Sequence, residues 1–224
     1  MSILDNFINN LEPLEIEAQE TPLIGTKEER AFCFTASEVS PLMSGDNTDG
    51  YKTYLYTKAM ARLGYYPAGA SGKAIDHGNR CEPKAISLLR AEFEILELEQ
   101  PPLKIDGALG ATIDLIDSSL EVGFEIKSPH NPTNIIKYLE LIEDGKFGAK
   151  KKEYYWQLIC QFAVYPDLKT IYFCLYIEKD GQGKVIKTPF ERGDYEREIE
   201  NLRQRATIAE KTVEALVEKY GGML

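Results

Sequence analysis

A chain of 224 residues, 43% of them hydrophobic, is long enough to bury one sizeable core of α/β dimensions. It has no apolar run of membrane-spanning length, and its first twenty residues are acidic and mixed rather than basic and then apolar. That pattern predicts neither signal peptide nor anchor, and hence a soluble, cytoplasmic protein with no membrane partner. Four scattered cysteines without a C-x-x-C pair, and two histidines, argue against a zinc site, an iron–sulfur cluster or a disulfide framework, so the cysteines read as core thiols. The net charge of −10 counts against a nucleic-acid partner, but Lys146, Lys150, Lys151 and Lys152 form a local basic cluster that leaves room for one basic groove.

Residues 1 to about 27 read as a short amphipathic helix followed by an acidic, proline-containing arm. Thr35 and Glu38 make a capping-box pattern, which predicts a helix from Ala36. Its free N–H groups and the Ser37 hydroxyl suit a phosphate, although a plain cap with Arg30 as a surface charge is the simpler reading. Tyr51 to Leu63 has helical spacing and stops at Gly64; the PAGASG loop beyond lacks the Lys-Ser/Thr ending of a phosphate-binding P-loop. A second helix covers Gly78 to Glu92, with Pro83 as a bend or a second start. Strands follow at Phe93–Leu98, Leu109–Ile116 and Glu121–Lys127, the last two forming a hairpin around Asp117-Ser118-Ser119. Asn131 to Glu143 and Glu153 to Tyr165 are amphipathic helices separated by a flexible basic loop, and Gln157 and Gln161 share one face of the second. Thr170–Glu178 is a strand that pairs with Val185–Pro189 across Asp180-Gly181. A long charged helix from about Asp194 to Tyr220 carries one apolar stripe and ends at Gly221-Gly222.

The chemistry concentrates in the Asp114–Lys127 hairpin. Alternation along the second strand places Glu125 and Lys127 on one face and turns Ile126 into the core. If the two strands pair, the Asp114 carboxylate approaches Glu125, and such hard oxygen donors suit Mg²⁺ or Mn²⁺. Lys127 beside them is placed to orient or deprotonate a water. An ordinary Glu-x-Lys pair on a surface strand is the alternative. Asp, then about ten residues, then Glu-hydrophobic-Lys resembles the core motif of the PD-(D/E)XK nucleases, with Ile113 where a proline usually precedes the Asp.

Over residues 28 to 178 the chain further resembles the phage lambda-type alkaline exonucleases, the YqaJ-like viral recombinase family. Arg30 precedes TASEV at the family's spacing, Gly78 to Ala85 fits its G-x-x-x-E-P-x-A helix motif, and Asp114, Glu125, Lys127 and Gln157 follow in order. The resemblance implies an α/β fold with a restriction-endonuclease-like core, a central mixed sheet flanked by helices. It implies a single nuclease domain, with residues 1–27 as an arm and 179–224 as a C-terminal strand and helix. It also implies two Mg²⁺ ions, replaceable by Mn²⁺, on Glu82, Asp114, Glu125 and the Ile126 carbonyl, with Lys127 acting on the water and Gln157 supporting it. Arg30, Ser37 and Thr112 would hold a terminal 5′-phosphate, and Ile75 would be the wedge that separates the strands. The implied activity is 5′-to-3′ digestion of one strand of linear double-stranded DNA to 5′-mononucleotides, by a homotrimer working with a single-strand annealing recombinase. The segment between TASEV and Glu82 is shorter than in the lambda enzyme, so contacts to the melted strand do not transfer. A related endonuclease without an end requirement, and a catalytically silent DNA-binding protein of the same fold, are the alternatives.

Overall fold

The apolar run from Leu109 to Ile116 does not remain one strand. In the computed structural model, which describes residues 25–67 and 72–223, it divides between two sheets. The expected N-terminal helix and arm, and the centre of the PAGASG loop, lie outside the described residues. The first half, β3 (Leu109–Ala111), runs parallel to β1 (Phe34–Thr35) and antiparallel to β2 (Lys104–Asp106). The second half, β4 (Leu115–Ile116), pairs antiparallel with β5 (Val122–Lys127), and β5 runs parallel to β6 (Thr170–Lys179). Parallel neighbours need a long crossover. Here it consists of α4 (Thr133–Glu143), α5 (Phe147–Lys150) and α6 (Lys152–Val164). The edge strand β7 (Gln182–Glu191) folds back on β6 through Asp180 and Gly181, whose φ values of 53° and 77° match the twist of a two-residue hairpin.

Helices cover both faces of the four-stranded sheet. On one face Cys81, Ala85, Ile86 and Leu89 of α3 (Lys73–Glu92) pack on Phe124, Ile126, Cys174 and Tyr176. On the other, α6 and the long α7 (Glu196–Tyr220) bury Leu158, Phe162, Ile199 and Leu202 against Phe173 and Leu175. The β5 alternation thus sends Phe124 and Ile126 to one core, as the sequence predicted. All four cysteines are buried and free. Among the described residues no helix is long and apolar enough to cross a membrane.

Four local expectations are corrected. The capping box belongs to α1 (Lys27–Ala31): the Thr26 hydroxyl accepts from the Glu29 N–H at 3.1 Å, and the Glu29 carboxylate accepts from the Thr26 N–H at 2.7 Å. The Thr35 hydroxyl instead donates to Glu38, and only two 3₁₀ turns follow, Ala36–Glu38 and Ser40–Met43, because Pro41 has no N–H with which to continue an α-helical ladder. Phe93–Leu98 is not a strand but contains a 3₁₀ turn, Glu94–Leu96, closed by Glu97 in the left-handed region at φ 49°. The basic stretch after Glu143 is not a flexible loop. It contains α5, anchored by buried Phe147, whose ring lies 5.1 Å from that of Phe173. The helix over Tyr51–Leu63 is present as α2 (Asp49–Arg62), capped by Thr48. The next helix begins earlier than expected, at Lys73, and runs unbroken through Pro83, where Asn79 and Pro83 both face solvent and water can take the freed carbonyl.

Candidate active site

Asp114 sits where β3 hands over to β4. The β4–β5 register pairs Leu115 with Phe124, so Asp114 comes opposite Glu125 just where the ladder stops. Its carboxylate takes over the unused backbone donor and accepts from the Ile126 N–H at 2.6 Å. Glu125, 2% exposed, points away from Ile126 and toward α6. One of its oxygens accepts from Lys127 Nζ and from Gln157 Nε2, both at 2.6 Å; the other accepts from Gln161 Nε2 at 2.5 Å. Gln161 is fully buried and its amide also donates to the Thr112 carbonyl at 3.0 Å, tying the strand break to β5. Gln161 is the site residue that the sequence reading set aside; its spacing one turn from Gln157 was the available signal. Lys127 Nζ lies 5.2 Å from the Tyr154 ring centre, and Lys151 approaches the same ring at 5.5 Å, which brings the basic segment up to the acids.

The acids repel one another. Burial first, and then the Glu125 charge, pushes the Asp114 carboxyl well above its ordinary range; Glu82 adds to this, and Lys127 with the Ile126 N–H opposes it. Glu82 is raised for the same two leading reasons. Burial works to discharge Lys127, but Glu125 and Asp114 outweigh it and hold the ammonium above its usual value. Three carboxylates, Glu82, Asp114 and Glu125, thus face one cation, an oxygen-rich donor set whose chemistry suits a hard divalent ion. As placed, however, both Glu125 oxygens are taken by Lys127, Gln157 and Gln161, and one Asp114 oxygen by the Ile126 N–H. Among the described residues no group of three or more His, Cys, Asp or Glu side chains is drawn together tightly enough to hold a metal.

The remaining candidates fall elsewhere. Arg30 and Ser37 line one open cavity of about 940 Å³ together with Ser40, Tyr54, Thr57 and Lys58. Thr112 is not in the lining of that cavity; it belongs to the strand break through its carbonyl. Ile75 stands in the first turn of α3, 39% exposed.

No protein-family model matches the sequence, and no curated protein matches it. Solved structures do match. An alkaline exonuclease from Laribacter hongkongensis, solved alone and in complex with dAMP, aligns over 88% of this chain and 97% of its own, at 22% identity and a TM-score of 0.63. A phage-related exonuclease from Haemophilus somnus aligns over 87% and 99%, at 16% identity and a TM-score of 0.65. The chain therefore has the mixed α/β architecture of the PD-(D/E)XK-like fold, with central strands flanked by helices. That fold is shared with the Laribacter alkaline exonuclease and the Haemophilus phage-related exonuclease.

Proposed function

We propose that this protein is a divalent-metal-dependent deoxyribonuclease that digests one strand of linear double-stranded DNA from its 5′ end, releasing 5′-mononucleotides and leaving a 3′ overhang. The observation that carries the reading is the meeting of Asp114, Glu125 and Lys127 at the β3–β4 break, with the Asp114 carboxylate on the Ile126 N–H. Asp114, Glu125, Glu82 and the Ile126 carbonyl are the groups that would hold Mg²⁺, two ions per site, or Mn²⁺ in its place. Bound there, the metal supplies charge neutralisation for an in-line displacement at phosphorus.

The chain's own residues do the rest. Lys127 stands against the acids as an ammonium, oriented by Tyr154, and is placed to hold a water or stabilise the departing oxygen. Gln157 and Gln161 fix Glu125 so that its oxygens do not rotate away. Arg30 and Ser37, which line one cavity, would take the terminal phosphate, and Ile75, exposed at the start of α3, would part the duplex end. The dAMP in the Laribacter structure is a 5′-mononucleotide, the product class proposed here. A single nuclease domain, assembly as a homotrimer, and a single-strand annealing recombinase partner in a bacterial host's cytoplasm complete the reading.

The test is Mg²⁺-dependent digestion of linear duplexes labelled at either end, beside a closed circle. Release of label as mononucleotide from the 5′ end first, with the circle intact, is expected. Cleavage of the circle would transfer the protein to the endonucleases; no cleavage of any substrate with Mg²⁺ or Mn²⁺ would end the nuclease reading.

A further inference from the structure

The 940 Å³ cavity contains a cation that its motif did not announce. Lys58 of α2 is only 6% exposed, an unusual burial for a lysine and a costly one unless its charge is paired. Its ammonium donates to the Arg30 carbonyl at 3.1 Å and to Glu38 at 3.3 Å. Glu38 serves two cations at once, since Arg30 Nη2 reaches its other oxygen at 3.4 Å. Both contacts are long against the roughly 2.7–2.9 Å of a tight charge-assisted hydrogen bond, which leaves each cation room for a stronger acceptor. The asymmetry of burial points the same way. The Lys58 side chain is 7% exposed and the Glu38 side chain 49%, so the lysine is fixed and the acid, held besides by the Thr35 hydroxyl at 3.1 Å, is the partner with room to turn outward. Tyr54, whose ring lies 5.8 Å from the lysine, lines the same cavity, and its hydroxyl is buried with no hydrogen-bond partner among the described residues.

We propose that Lys58 is a second phosphate-binding cation of this cavity, beside Arg30, and that Glu38 is the counter-ion both exchange for a strand-terminal phosphate. The proposal rests on the reading that the Arg30 cavity receives the 5′ end of a strand. A terminal monoester carries close to two negative charges at neutral pH, its second pKa being about 6, and two cations match it where an internal diester would supply only one charge. Ser37 and Ser40 are in the lining with hydroxyls that can donate to further oxygens. The cavity volume falls within the roughly 300–1,000 Å³ of small-ligand sites, enough for a phosphate with its nucleoside.

Binding measured without catalysis separates this idea from the nuclease reading. Short linear duplexes with 5′-phosphate or 5′-hydroxyl ends are titrated by fluorescence anisotropy in EDTA against wild type, Lys58→Arg, Glu38→Gln and the double variant Lys58→Met/Glu38→Gln. The double variant removes both charges, so no unpaired acid is left to unfold it. Wild type should prefer phosphorylated ends, Lys58→Arg should keep most of that preference, and Glu38→Gln should enlarge it by removing the competing anion. Measured against Glu38→Gln, the double variant should lose about tenfold to a hundredfold of the preference, the worth of one charge-assisted hydrogen bond. A folded double variant that keeps the preference of Glu38→Gln, or a Glu38→Gln variant whose preference is that of wild type, overturns the assignment of Lys58 and leaves Arg30 standing. Equal binding of both ends by wild type overturns the phosphate cavity as a whole. Phosphate-selective binding by a protein that digests nothing would sink the nuclease reading alone.

Discussion

At Asp114, burial and the Glu125 charge both oppose ionisation, with Glu82 adding to them, so the folded chain holds a proton there more tightly than the unfolded chain does. The sign of the consequence follows. Stability from this group is fully present below the ordinary aspartate value of about 3.9 and is lost as pH rises through the raised folded value. Asp114→Asn removes the titration. The metal-free variant should melt above wild type at pH 7 to 8, and the two should converge near pH 4; thermal melts in EDTA across that range check it, and a variant less stable than wild type at pH 8 contradicts it. The same change should lower Mg²⁺-dependent cleavage by more than about 100-fold, since loss of mere outer-shell partners already costs 10- to 100-fold. Gln161→Leu should fall inside that outer-shell range in steady-state digestion, because it frees one Glu125 oxygen and strips the Thr112 carbonyl of its donor. That Glu125 and Lys127 share one face was legible from strand alternation alone, since their mutual contact lies within one strand. Gln161 was not, because a glutamine one turn from Gln157 says nothing of which strand its helix covers.

The strand break is a property of pairing rather than of local sequence. Only Gly110 and Asp114 disfavour a strand between Leu109 and Ile116, no proline intervenes, and neither residue says where pairing changes partner. The break arises because Leu109–Ala111 finds partners at Phe34–Thr35 and Lys104–Asp106, remote segments that periodicity cannot connect. Gly110 is what permits the close approach. A Cβ there would collide with the Cys33 sulfur, so Gly110→Ala should cost about 1–3 kcal/mol as overpacking, read from urea denaturation. Cys33→Ala in the same chain should recover much of that loss, whereas additive penalties would show that the two sites do not share the space. The β6–β7 hairpin shows the opposite case. Its turn residues Asp180 and Gly181 announce themselves, and only the strand lengths were underestimated. The helix expected at Ala36 failed for a reason also written locally, in Pro41, but outweighed in the reading by the Thr35-Glu38 spacing.

At the scale of the whole molecule, the last helix holds the segment that carries the Arg30 cavity. Arg62, at the end of α2, makes a two-pronged contact with Glu210 of α7 at 2.9 and 2.7 Å and also donates to the Ala31 carbonyl at 3.1 Å. Arg205 reaches back from α7 to the Leu42 and Ser44 carbonyls. The links to α7 join residues more than a hundred positions apart, visible in the sequence only as charges on a helix assumed to be solvated. Arg62→Met leaves Glu210 and a carbonyl without their donor, and should cost about 3 kcal/mol, the low end for breaking a buried pair because Glu210 keeps some access to water. Chemical denaturation measures it; a change below 1 kcal/mol would mean the two helices hold together by apolar packing alone.

Burial of the four cysteines has a practical outcome. Burial pushes the thiols of Cys33, Cys160 and Cys174 up, so little thiolate exists at neutral pH, and Cys81 is shielded at 3% exposure. The native protein should leave a chromogenic disulfide reagent almost unreacted, with four equivalents consumed only in denaturant. A fluorophore or spin label can then be attached through one new cysteine, replacing exposed Ile136 as a reference or exposed Ile75 at the start of α3, without first removing the native four. The fold thereby comes ready for distance measurements between its helices and a duplex end.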